Sequence, residues 1–194
     1  MGQDEALKAD VVVVVADASN LKRNLLYCSQ LIDLKIPVVI ALSMMDLARS
    51  KGIKIDVASL ERELGVPVVV INPRKNKGIA ELKKSILLTS QQQYKAPLLD
   101  FIDNKAAAPE AINELKQHFP DLSDYAAIHY LINHENFSFN SAMQESVEQI
   151  EVKNNFNPTK TQAEEILSRF NRIKQIMQLS VDEPGPLQKK LFTE

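Results

Sequence analysis

Residues 10–16, Asp-Val-Val-Val-Val-Val-Ala, constrain this chain more than any other stretch. A β-branched run without polar alternation predicts a strand covered on both faces, as in the middle of a parallel sheet. Parallel strands need crossovers, and the following residues supply one. Asp17-Ala18-Ser19-Asn20 offers a turn and an N-cap, and Leu21, Leu25, Cys28 and Ile32 then fall on one helical stripe. Ile36-Pro37-Val38-Val39-Ile40-Ala41-Leu42 predicts a second strand with Pro37 at its start. It ends in the short segment Ser43-Met44-Met45-Asp46.

The same rhythm continues to residue 90. Residues 46–55 read as a loop with room for one helical turn. Asp56 caps a helix with Val57, Leu60 and Leu64 on its buried face and Gly65 at its end. Residues 67–71 predict a third strand, residues 72–77 a polar loop, and Gly78 leads into a helix with Ile79, Leu82 and Ile86 inward. Three βα units with right-handed crossovers give a parallel three-stranded sheet flanked by helices. Ligands of such sheets bind at the carboxyl ends of the strands. The loops expected there are residues 17–20, 43–46 and 72–75.

Beyond a polar, proline-bearing linker at residues 91–97 the period is helical throughout. Pro109 opens a helix with Ile112, Leu115 and Phe119 inward; Pro120-Asp121-Leu122-Ser123 is a turn and cap. Ala127, Ile128, Leu131 and Ile132 form the next apolar face, residues 136–140 break it, and Met143, Val147 and Ile150 mark a third helix. Asn157-Pro158 starts the longest helix, with Ala163, Ile166, Phe170, Ile173 and Met177 as its expected inner face. Residues 182–186 are expected to turn, and residues 187–194 to lead on into a longer parent.

Composition narrows the function. Net charge is −2 across 194 residues, which gives no nucleic-acid footprint. One cysteine, Cys28, excludes an internal disulfide and reads as a small core residue in a reducing compartment. No apolar run has membrane-spanning length, and the acidic start Met1-Gly2-Gln3-Asp4-Glu5 lacks a secretory leader's apolar region. A phosphate-binding loop needs Gly-Lys followed by Ser or Thr, whose backbone N–H groups and lysine hold the phosphates. None of the five glycines precedes a lysine. Asp182-x-x-Gly185 matches an Mg²⁺-motif spacing but reads as a solvated proline turn, since no apolar strand feeds it. His118, His129 and His134 read as surface or boundary residues, because His129 and His134 are badly spaced for one helical face.

The strings ADVVVVVADASNLKRNL, IPVVIALSMMD and GVPVVVINPRKNKGIAELKKSI resemble the second half of the GTPase domain of bacterial ferrous iron transport protein B. Arg169-Phe170-Asn171-Arg172-Ile173 resembles that family's Arg-Tyr-x-x-Ile stretch ahead of its membrane region. The resemblance implies an α/β partial Ras-like GTPase domain at residues 1–92, lacking the P-loop. An all-α helical domain follows at residues 93–180, then a tail at residues 181–194 toward a membrane domain. It implies a cytoplasmic position at the bacterial inner membrane and a guanine-nucleotide regulatory role coupled to Fe(II) uptake. GTP or GDP with Mg²⁺ would bind the full-length parent, and none tightly this chain. The parent family is a GTPase; this chain alone is expected to be inactive. By the same resemblance Ser43, Met44 and Asp46 form one base-reading loop and Asn72, Pro73 and Arg74 the other. Ser43 stands where the family has Asn, and Pro73 removes a backbone N–H. Asp46 could equally be a helix N-cap. Expected partners are the upstream half of the GTPase domain and the transporter's membrane domain; the strand edge that such a truncation would bare is expected to be met by a homo-oligomer, a swapped neighbour, the N-terminal residues or the helical part. The alternatives are a nucleotide-independent interaction module or a piece of another small-GTPase family.

Overall fold

The computed structural model describes residues 9–91, 100–136 and 141–184. Most of the expected linker, all but the first residue of the 136–140 break and the end of the tail lie outside these residues. β1 (Val12–Asp17), β2 (Val38–Ser43) and β4 (Val68–Val70) form one parallel sheet in the order β1-β2-β4. α1 (Leu21–Asp33) and α3 (Val57–Leu64) cover one face. Val14, Ala16, Ile40, Leu42 and Val68 pack there with Leu21, Leu25, Cys28, Ile32, Leu60 and Leu64. α4 (Ile79–Ser90) covers the other face, over Val39 and Ala41, which are fully buried. It is loosely held. Ile79, Leu82 and Ile86, expected inward, are only half-buried, because among the described residues no strand or helix lies beyond β1 for α4 to pack against.

The local signals act as read. Asp56 accepts from Ser59 N at 3.0 Å to cap α3, and Gly65 ends it at φ +68°. Residues 46–55 depart from a plain loop: α2 (Met45–Ser50) is a full short helix, and β3 (Lys54–Ile55) pairs antiparallel with β5 (Val181–Asp182). The expected turn at residues 182–186 is therefore corrected at its start, where Asp182 is strand.

The second half is helical. α5 (Pro109–His118), α6 (Asp124–Asn133) and α7 (Ser141–Lys153) enclose Ile112, Leu115, Ile128, Leu131, Val147 and Ile150. α8 (Pro158–Ser180) runs from this cluster to the sheet layer, where Ile173 and Ile176 join the first core. Its expected inner face holds at Ile173 and Met177 and is wrong at Ala163, Ile166 and Phe170. The buried stripe is Thr161, Glu165, Arg169, Ile173, Ile176 and Ser180. Ala163, Ile166 and Phe170 face solvent. Partners outweigh hydrophobicity here: buried Arg169 meets Asp33 Oδ2 at 2.9 Å and Glu165 Oε1 at 2.5 Å, with Tyr125 and Phe101 against its guanidinium.

Candidate functional site

The site is built where the three parallel strands end. Register sets Asp17 beside Ser43, and Ile71 N donates to Leu42 O at 2.9 Å just beyond β4. All three strand-end loops therefore open on one edge, as the βα reading requires, and the 43–46 and 72–75 loops leave adjacent strands.

The first loop is short and bent. Ser43 Oγ donates to Ala16 O at 3.1 Å, so the hydroxyl ties β2 to β1 instead of pointing outward. Met44 holds φ +57° as the N-cap residue of α2, an uncommon conformation for a side-chain-bearing residue, and is exposed. Asp46 lies in the first turn of α2, so the reading of Asp46 as the N-cap is corrected. Its Oδ1 accepts from Leu47 N at 2.9 Å, and the residue is exposed. A carboxylate has several lone-pair sites, so Asp46 keeps acceptor capacity toward a paired donor.

The second loop is a closed ring. Asn72 N donates to Lys77 O at 2.9 Å, and Lys77 N donates to Asn72 O at 3.1 Å. Inside it Pro73–Lys75 make one 3₁₀ turn, capped by Asn72 Oδ1, which accepts from Lys75 N at 3.1 Å. Pro73 sits at the first position of that turn, where a missing N–H costs nothing. Arg74 is exposed, and as the second residue of the turn its N–H is among the donors a helix start leaves unmatched. Gly78 closes the ring at φ +76°, with its Cα against Val70 O.

Two cavities flank β1, and neither is lined by Ser43, Met44, Asp46, Asn72, Pro73 or Arg74. One of about 300 Å³ lies beside Ser19, Lys51, Ile53, Met177 and Val181. Another of about 820 Å³ lies at the amino end, between Val12, Pro37, Phe119 and Leu122. Cys28 is fully buried, and burial pushes its thiol up to about 12, so it is core. His129 stacks edge-on against Tyr125 at 4.4 Å, and burial lowers its pKa. His134 Nδ1 sits 3.3 Å from Glu151, whose carboxyl burial raises. Among the described residues, no three His, Cys, Asp or Glu side chains form a metal-sized group, and no helix is long and apolar enough to cross a membrane.

The residue sequence reasoning underused is Arg169. Its spacing to Glu165 is visible in the sequence; its pairing with Asp33, across the molecule, is not.

Residues 5–86 match the family model described as ferrous iron transport protein B. The match takes in 82 of the 194 residues, the sheet-bearing part of the chain, which is similar to that family. The Fe(2+) transporter FeoB of Legionella pneumophila (strain Paris) is 41% identical over 110 residues, which is 57% of this chain and 14% of that protein. The chain thus spans about a seventh of the length of that curated relative. A GDP-bound variant of the S. thermophilus FeoB G-domain superposes with TM-score 0.74 at 28% identity, covering 91% of this chain and 71% of that one. The cytosolic domain of L. pneumophila FeoB gives TM-score 0.69 at 28% identity, covering 91% and 70%. The sheet and its helices are part of a Ras-like G-domain, with the helical part behind it.

Proposed function

We propose that this chain carries the guanine-reading side of a nucleotide switch in the cytosolic region of a ferrous iron transporter. The observation that carries this reading is the common edge shared by the loops at residues 43–46 and 72–75. Asp46 would accept from the N1–H and 2-amino group of guanine, which adenine cannot supply in that arrangement. Met44, exposed and polarisable, would cover the base face. Ser43 and Asn72 would shape the two loops through their bonds to Ala16 O and Lys75 N, instead of touching the base. With Pro73 unable to donate, Arg74 N–H is the donor offered to guanine O6. GDP-bound relatives support nucleotide binding in the parent. The partner in the parent would be its membrane domain, and the cargo Fe(II), on the cytoplasmic side.

Phosphate contacts supply most of a nucleotide's binding energy and all of the hydrolytic chemistry, and this sequence has no Gly-Lys to make them. GDP should therefore bind the isolated chain no better than millimolar, roughly −4 kcal/mol, with no measurable GTP turnover. Titration calorimetry with GDP and ADP tests the reading in a parent assembled with its phosphate-binding half. Guanine preference there should fall at least tenfold in Asp46→Ala. Undiminished preference would leave the interaction-module alternative standing.

A further inference from the structure

Five cations crowd the stretch that follows β4. Arg74, Lys75 and Lys77 sit on the 72–77 ring and Lys83 and Lys84 on α4, with Glu81 the single acid among them. All five are exposed, and none of their side chains makes an ion pair among the described residues. Elsewhere Lys35, Lys54, Lys116, Lys153, Lys160 and Arg172 each stand 2.5–3.9 Å from a carboxylate. Lys77 also comes immediately before Gly78, the N-cap of α4, where the helix dipole disfavours positive charge. Nothing inside the molecule compensates this strip.

The fold turns these charges one way. α4 sets Leu82, Ile86 and Thr89 toward the sheet. Ala80, Lys83, Lys84 and Leu87 fall at i, i+3, i+4 and i+7 on the opposite arc, and Leu87 is 55% exposed between the two lysines. The helical part lies on the other side of the sheet, because α8 packs on α1 and α3. Residues 100–165 carry twelve Asp and Glu against four Lys. The molecule is thus positive on its α4 side and negative on the side of the helical part. That polarity selects the occupant. Lysines around an exposed leucine fit a surface with anionic headgroups above an apolar layer. Residues 72–91 hold no aromatic side chain to stack a nucleic-acid base. The acidic half of a second copy would meet the lysines but leave Leu87 against charge.

We infer that the outward face of α4, with the cations of the 72–77 ring beside it, is a docking surface for the anionic phospholipids of a membrane leaflet. The inference rests on the transporter reading only for the nearness of a membrane; the nucleotide has no part in it. Docked in this way, the chain holds its basic side to the leaflet and its acidic helical part away from it, so attraction and repulsion favour the same orientation.

The test sediments the full chain with vesicles of phosphatidylcholine containing about a third phosphatidylglycerol, and with phosphatidylcholine alone. Binding should need the anionic lipid and should weaken at least tenfold as ionic strength rises from about 0.1 M to about 0.5 M. Lys83→Glu combined with Lys84→Glu, at exposed sites that leave folding intact by circular dichroism, should weaken it at least tenfold. Leu87→Gln should weaken it severalfold. Lys105→Glu combined with Lys160→Glu makes the same charge change on the exposed surface of the helical part and should leave binding within threefold. In the unaltered chain, vesicles should slow acetylation of Lys83 and Lys84 at least tenfold and leave that of Lys105 unchanged. Binding that ignores the anionic lipid, equal loss in the two double variants, or acetylation unprotected at Lys83 and Lys84 overturns the inference. So does self-association of the chain through Lys83 and Lys84 that vesicles do not displace. No nucleotide enters this assay: its failure leaves the guanine reading standing, and a loss of guanine preference leaves this surface standing.

Discussion

At Gly78 the backbone passes so close to the sheet that a Cβ would lie 2.0 Å from Val70 O, at φ +76°. The contact is with main chain, so no side-chain adjustment relieves it. Gly65 has the same sign of φ but open space around its Cβ position. Gly65→Ala should thus cost only the left-handed penalty, about 1 kcal/mol. Gly78→Ala should cost more than ~2 kcal/mol and should loosen the 72–77 ring that presents Arg74. Urea midpoints of the two variants order them; equal costs would mean that the ring tolerates displacement. His129 gives a pH signature. Burial lowers its folded pKa below the unfolded 6.5, so the unfolded chain binds the proton more readily. Its contribution is fully present above 6.5 and is lost as pH falls through the lowered value. His129→Gln should therefore lose less stability than the parent chain between pH 7.5 and 5.5. A variant with the same pH slope would locate the titration elsewhere.

Among elements, the legible ones are those whose signals are local. The cap at Asp56, the stop at Gly65, the start at Asn157-Pro158 and the stripe Leu21, Leu25, Cys28, Ile32 are each decided within a turn or two of chain, and the structure bears them out. The first half of α8 is not legible because its buried face there is polar. Counting apolar residues selects Ala163, Ile166 and Phe170, yet the stripe that turns inward carries Glu165 and Arg169. The polar partners of Arg169 outside α8 lie on α1 and in the 100–104 segment, more than sixty positions away. β3 and β5 were missed for a similar reason: each is two residues long and exists only because the other is there. The loops at residues 43–46 and 72–75 were legible in position, as strand ends must be, but not in detail. That Ser43 would turn to Ala16 O, and Asn72 to Lys75 N, depends on geometry no spacing gives. The corrected face of α8 makes a direct prediction. Ile166→Gln, at a site 39% exposed, should change stability by less than ~0.5 kcal/mol. Ile176→Ala, fully buried and outside the expected stripe, should cost about 2–5 kcal/mol in the same denaturation assay. The reverse order would restore the apolar stripe as the inner face.

For the whole molecule the question is how the sheet layer and the helical part stay in one arrangement. We propose that the division near residue 92 is one of sequence pattern and not of stability. α8 contributes Ile173 and Ile176 to the sheet core and, a turn earlier, Arg169 to the contact with α6. Arg169 is completely buried and stands 2.9 Å from Asp33, whose other oxygen accepts from Phe101 N at 2.5 Å. One cation thus joins α1, α6, α8 and the segment entering the helical part. Breaking a buried pair from one side leaves an uncompensated charge and costs about 3–5 kcal/mol. In the parent chain, hydrogen exchange followed across rising urea should show residues of β2 and of α6 opening with the same free energy, as one cooperative unit. In Arg169→Ala the cost falls on the junction itself, so the two cores should separate into distinct openings. α6 should then exchange at lower urea than β2, because the helical cluster has the smaller core. Arg169→Ala combined with Asp33→Leu removes both the stranded carboxylate and its partner, and should recover part of the loss while the two openings stay separate. If Arg169→Ala lowers both cores equally and leaves them coincident, the apolar contacts of Ile173 and Ile176 hold the two parts together, and the buried ion pair only stabilises what they have already joined.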